Sequence, residues 1–205
     1  MRWTVVDAPL DSSGAGRGEE RAPAALRDAG LLDALAADDG GRVDEACLRD
    51  AVRDPASGVI AAIGCDGPLL DPGRVHLLGH RPATDDSSRA EAARIDPAIH
   101  QVPAAELLRR GAGTVGAGLA TGGDGPAWLH LDLDVVDPRD LPAVTYPEPD
   151  GPRWADLIAL VTPLARADRL LGMSVTDLNT DEDPTGRHTR RVVEVLAEVL
   201  GSADG

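Results

Sequence analysis

This chain of 205 residues has no phenylalanine, one tyrosine, three tryptophans and two cysteines. An interior so poor in aromatic rings must be built from Leu, Val, Ile and Ala, and an apolar content of 42% supplies enough of them for one sizeable core. Cys47 and Cys65 are too few for a disulfide framework, so they read as small core residues and leave the cytoplasm as the expected compartment. Cationic side chains are also short: 20 Lys and Arg against 35 Asp and Glu give a net charge of −15. That deficit excludes nucleic acid and anionic membrane surfaces as partners, because both need a basic footprint, and it suits a small cationic molecule. No apolar run is long enough to cross a bilayer, and Met1-Arg2-Trp3-Thr4-Val5-Val6-Asp7 reads as a short strand rather than a secretion segment.

What is present alternates between short apolar runs and amphipathic stretches. The pattern predicts strands over 3–7, 74–79, weakly 98–101, 127–134 and 170–178, and helices over 23–35, 44–52, 104–110 with a continuation, 154–167 and 187–200. The segment from Asp38 to Pro55 reads as a polar loop followed by a short helix. Strands alternating with helices predict an α/β fold: one three-layer domain over residues 1–205, with a mostly parallel sheet and helices on both faces. In such sheets ligands bind at the carboxyl ends of the strands. The glycines of Ser12-Ser13-Gly14-Ala15-Gly16-Arg17-Gly18 lack the Lys-Ser/Thr ending of a phosphate loop and the full dinucleotide spacing, so nucleotide binding is not expected there. Gly122-Gly123-Asp124 reads as a loop.

The run Trp128-Leu129-His130-Leu131-Asp132-Leu133-Asp134-Val135-Val136-Asp137-Pro138 carries the chemistry. Residues two apart on a strand share a face, so Asp132 and Asp134 can converge at its carboxyl end, which is a metal-ligand pattern. Bare carboxylates are costly in so apolar a run, and a cation is expected against them. Without one, two like charges this close should leave one carboxyl protonated, or recruit Arg17, Arg81 or Arg139 from loops near the sheet end. His130 shares the same face and completes a three-ligand set suited to manganese, iron or zinc; its other reading is a buried histidine satisfied by a backbone carbonyl. His80 is better placed for a cleft than His76, and His100 and His188 read as surface or loop residues without partners.

Two separated stretches, in order, resemble the arginase and agmatinase family of ureohydrolases. One comprises Pro9-Leu10-Asp11, Gly14, Gly16-Arg17-Gly18, Pro23, Ala25-Leu26-Arg27 and Ala29-Gly30-Leu31. The other runs from the carboxylate strand through Pro142-Ala143-Val144-Thr145-Tyr146-Pro147-Glu148-Pro149-Asp150-Gly151 to Leu170 to Asn179 and Asp183-Pro184. The resemblance covers residues 1 to about 35 and about 58 to 201, and implies a truncated arginase-like fold, trimers or hexamers, and a dimanganese site. It also shows what is missing. The family's Gly-Gly-Asp-His and Asp-x-His-x-Asp segments do not occur, so of six ligand positions only those matching Asp132 and Asp134 remain. Asp177 falls where the family uses a glutamate to hold the substrate guanidinium, one methylene shorter here; with Asn179 it could equally cap the following turn.

The expectation is therefore a degenerate ureohydrolase relative rather than a dimanganese arginase. Asp134 and Asp177 are its candidate catalytic residues, Asp177 and Asn179 its candidate substrate contacts, and Asp132, Asp134 and His130 its candidate metal ligands. It would hold at most one divalent metal, manganese first, or none. Its partners would be a small cationic or amino-acid-like molecule and either further copies of itself or another subunit. The alternatives are a non-catalytic binding or partner subunit, and a conventional hydrolase of guanidino or amidino C–N bonds.

Overall fold

The computed structural model describes residues 3–9, 16, 18–43 and 71–201. In chain order these form β1 (Thr4–Asp7), α1 (Ala22–Asp28), α2 (Leu31–Leu35), β2 (Asp38–Arg42), β3 (His76–Leu78), α3 (Asp86–Ala92) and β4 (His100–Val102). There follow α4 (Ala104–Arg110), α5 (Ala112–Thr121), β5 (Ala127–Asp132), α6 (Trp154–Ala165), β6 (Leu170–Thr176) and α7 (Arg187–Leu200). Among the described residues the strands join as parallel pairs, β1 with β2, β3 with β4 and β5 with β6. Cys47, Cys65, Arg17 and the expected helix over 44–52 lie outside the described residues.

The main core sits where α1, α2, α6 and α7 meet the inward face of β5 and β6. On α7, Val192, Val193, Val195, Leu196 and Val199 recur at helical spacing and are all buried, as are Trp154, Leu157, Val161 and Ala165 of α6. They close over Leu131, Leu133 and Val136 from the carboxylate segment, which ties that segment to the most stable part of the molecule. A second cluster joins Leu107, Ala112, Val115 and Leu160 and packs against Leu78 and Val102 of the β3–β4 pair. At the α5–α6 crossing Gly116 lies against the Leu160 carbonyl, and a Cβ there would stand 2.2 Å from its oxygen. We expect Gly116→Ala to destabilise the protein by about 2 kcal/mol through overpacking, lowering the melting midpoint by about 4–8 °C. A midpoint within one degree of the parent would show that the helices slide apart freely.

Several expected elements change on folding. The predicted helix over 23–35 breaks into α1 and α2 at Gly30, whose φ of +89° is left-handed. The expected strand over 127–134 stops at Asp132, and residues 98–101 pair one step later, as His100–Val102. β2 replaces the expected polar loop at its start. Asp38-Asp39-Gly40-Gly41-Arg42 has no apolar alternation, yet it pairs with β1 because Gly40 lets the backbone approach Val6 and Thr4, where a Cβ would stand 2.7 and 2.8 Å from their methyl carbons. Arg27 fastens this edge, donating to both carboxylate oxygens of Asp7 and reaching Asp39 at 3.0 Å.

Candidate active site

Alternation along β5 sends Leu129 and Leu131 into the core and leaves Trp128, His130 and Asp132 on the opposite face. Asp132 is the last residue of the strand. One of its oxygens accepts the Asp134 N–H at 3.2 Å and starts a 3-10 turn over Leu133–Val135. The two carboxylates are therefore not an alternating pair on one strand, as the spacing suggested. The turn forms because Leu133 and Val136, 1% and 0% exposed, are both pulled into the core and the chain must coil to bury them.

β6 lies directly beside β5, with Asp132 opposite Thr176, so Asp177 follows at the same sheet end. The strands leading to Asp134 and Asp177 are thus neighbours that end at the same side of the sheet. Asp177 holds a left-handed φ of +64°, a conformation uncommon for a residue with a side chain. The Thr176 hydroxyl beside it is buried without a hydrogen-bond partner among the described residues.

Desolvation first, and then the charges of Asp134 and Asp177, push the Asp132 carboxyl up to about 7. Asp134 is also raised, chiefly by burial, while a hydrogen bond from Asp132 and the nearby Arg81 charge work the other way. Asp132 thus takes up a proton at a much higher pH than an ordinary carboxylate, the direction expected for two carboxyls this close with no cation against them. Among the described residues no arginine donates a hydrogen bond to these carboxylates. Arg81 spends its guanidinium on backbone carbonyls, those of Val135 and Asp134 at 2.7 Å each, Glu148 at 2.8 Å and Gly79 at 3.1 Å. Gly151 makes room for it: a Cβ there would lie 2.4 Å from the Val135 oxygen and 2.9 Å from the guanidinium. Arg139 is committed to Asp137, with contacts of 2.6 and 2.8 Å.

Asp137 is the site-forming residue that the sequence reading passed over. It is 1% exposed, accepts the Arg139 and Asp150 N–H groups at 2.9 and 3.0 Å, and is held well below the usual carboxylate range, first by the Arg139 guanidinium. Its signal was Asp137-Pro138-Arg139, an acidic residue opening a proline turn with a cation two positions on.

The remaining candidates divide. Asn179 is 5% exposed and fully engaged: its side-chain oxygen accepts the Asp181 N–H at 3.0 Å and its amide donates to Thr145 at 3.2 Å, so it caps a 3-10 turn. His130 is exposed rather than buried, and its Nδ1 meets the Ser174 hydroxyl at 2.8 Å instead of a backbone carbonyl. That correction follows from the outward face of β5, where Trp128 is also 65% exposed. His80 ends up half-buried just past β3, its Nδ1 without a partner among the described residues and its ring held below the usual histidine range by desolvation. His100 is a surface residue, as read, though it belongs to β4 and stacks on His76, while His188 is half-buried in the first turn of α7 beside Asp183 rather than in a loop. Gly122-Gly123-Asp124 is a loop, as read.

Among the described residues no group of three or more His, Cys, Asp or Glu side chains is arranged to hold a metal ion. Among the described residues the charged donors at the strand end are carboxylates alone, joined by the Thr176 hydroxyl, and one oxygen of Asp132 is already occupied by a backbone N–H. This set does not fit manganese, whose sites need several more oxygen or nitrogen donors.

The sequence profile of the arginase family matches residues 49–201, most of the chain. The chain belongs to the arginase family. Over 80 residues it is 32% identical to the N(omega)-hydroxy-L-arginine amidinohydrolase of Streptomyces lavendulae, a match spanning 39% of this chain and 28% of that one. Over 138 residues it is 27% identical to an arginase of Brucella abortus, spanning 64% of this chain and 43% of the relative. Against these curated relatives, then, the matched stretch amounts to less than half of their length. The fold agrees: the crystal structure of arginase from Bacillus subtilis superposes with a TM-score of 0.77 at 18% identity, over 98% of this chain and 99% of that one. The arginase-like α/β fold with parallel strands is thus shared, while the matched stretch of this family member is short. No helix among the described residues is long and apolar enough to cross a membrane.

Proposed function

We propose that this arginase-family chain binds a small cationic or amino-acid-like molecule at the carboxyl end of β5 and β6 and acts on it by proton transfer, rather than by dimanganese hydrolysis. The observation that carries the reading is the convergence of Asp132, Asp134 and Asp177 at one sheet end, with Asp132 pushed up to about 7. A carboxyl that exchanges its proton near neutral pH is matched to general acid–base work, and its neighbours supply negative charge for a cation. Asp132 is the group assigned to proton transfer, Asp134 and Asp177 share the catalytic role as the charges beside it, and Asp177 is also assigned to substrate contact. Asn179, given over to its turn, is left out of the substrate contact and positions the backbone after Asp177. His130 is left out of the metal role that its spacing suggested, since it is turned to the Ser174 hydroxyl.

Cation binding favours ionised carboxylates, so at pH 6.5 an amine or guanidinium should displace the Asp132 proton. Calorimetry with agmatine or arginine, under chelator and in buffers of different ionisation enthalpy, should register binding with net proton release. Asp132→Asn should abolish that release. Binding seen only after manganese is added, or urea production with manganese on the order of 10 per second, would refute the metal-free reading and restore the conventional one.

A non-catalytic role at the same site is favoured by one feature, the heavy structural use of residues around it, Arg81 and Asn179 above all. In that case the cation would bind with the same proton release and remain chemically unchanged on prolonged incubation.

A further inference from the structure

Away from the strand-end cleft, the β3–β4 pair carries two histidines side by side. His76 opens β3, His100 opens β4, and the register sets them directly opposite. Their rings stack with centroids 4.8 Å apart and planes within 18°. A backbone carbonyl only accepts, so the His100 Nε2 that lies 3.0 Å from the Gly73 oxygen carries a hydrogen and donates it there. Neutral rings gain from such a stack, whereas two imidazolium ions at this distance repel. Both side chains reach the surface, so solvent protons reach them as well.

Among the described residues the titratable and charged groups facing His76 are His100 from β4 and Arg169 from the loop before β6, and neither carries a negative charge that would offset a proton on His76. Arg169 is held in place by its bond to the Leu119 carbonyl at 3.0 Å. From this geometry we propose that the His76–His100 stack is an acid-released clasp between β3 and β4, closed while the His76 ring is neutral and loosened when that ring takes up a proton. Desolvation, followed by the two neighbouring cations, holds His76 below the usual histidine range. The folded chain therefore binds this proton less readily than the unfolded chain. The stability it contributes is complete above the ordinary histidine value of about 6.5 and is lost as the pH falls through the folded value.

The clasp has a route to the strand-end cleft. β3 ends at Leu78; the next residue, Gly79, donates its N–H to the Val102 carbonyl at 2.9 Å, and two residues later Arg81 holds the carbonyls of Asp134 and Val135. Loosening of β3 would slacken that grip.

Native-state hydrogen exchange tests the clasp on the full chain. The reporting amides are Gly79, bonded to Val102, and His100, bonded to Val75, with Arg166 in the last turn of α6 as a reference. After correction for intrinsic exchange, protection of Gly79 and His100 should fall roughly tenfold between pH 7.5 and 5.0, while Arg166 holds steady. The double variant His76→Gln, His100→Gln should lose this pH response. His100→Phe, which keeps a ring against His76 and removes one charge, should retain protection at pH 5.0. Unchanged protection in the parent would overturn the proposal. So would an equal fall at Arg166 or an undiminished fall in the double variant.

Discussion

Arg81→Ala should lower stability by about 4 kcal/mol, the largest loss expected from any single surface-reaching arginine here. Four of its five N–H groups go to carbonyls from three separate segments, and truncation leaves the oxygens of Asp134, Val135, Glu148 and Gly79 without that donor. Bonds from a charged donor are individually worth about 1.5–3 kcal/mol and do not add in full, which sets the figure. For a domain of this size it corresponds to a melting midpoint about 8–16 °C lower. Arg81→Lys keeps the charge but loses the planar fork, so it should recover only part of the loss. Thermal melts of the two variants would check this; a deficit in Arg81→Ala below about 1 kcal/mol would mean that solvent satisfies the carbonyls as well as the guanidinium does.

Asp132→Asn should act in the opposite direction and only above a certain pH. With Asp132 raised to about 7 in the folded chain, the native state holds a proton that the unfolded chain gives up near 4. Between those values the folded state binds more protons, so the parent loses stability as the pH rises from about 4 to about 7. The Asn variant carries no such penalty and should melt higher at pH 8, by about 2 kcal/mol or 4–8 °C, with the difference shrinking toward pH 4. If instead a cation occupies the carboxylates, the variant should melt lower at pH 8 and stop responding to chelator. Equal melting of parent and variant at every pH, with or without chelator, would mean that these carboxylates are merely solvated and would take away the centre of the proposed site.

Both experiments bear on the same loop for a physical reason. Leu133 and Val136 drag the chain into the core immediately after Asp132, and the backbone carbonyls exposed by that coil need donors. Arg81 meets that need from a different part of the chain. The carboxylates remain behind at the mouth, partly desolvated and beside one another's charge, which is why their proton affinity rises. A site of this kind combines a rigid scaffold with an electrostatic deficit that a cationic ligand would relieve.

The sequence by itself determined the periodic elements and their order. Buried faces at helical spacing made α6 and α7 legible, and apolar runs ending in acids made β5 and β6 legible, because burial of Val and Leu is a local pattern that any packing partner satisfies. It also carried the family membership, through the carboxylate strand and the segments following it. Only the tertiary structure decided the rest. β2 exists because Gly40 admits a neighbouring strand, and its own side chains give no sign of one. Whether Asp132 and Asp134 met a metal, an arginine or a proton depended on where Arg81 and Arg139 spent their donors, and hydrogen bonds across tens of residues leave no spacing to read. His130 was on the expected strand face, yet its exposure followed from what failed to cover that face. Local periodicity places a side chain on its element; its protonation and its partner depend on desolvation and on charges brought in from elsewhere in the chain.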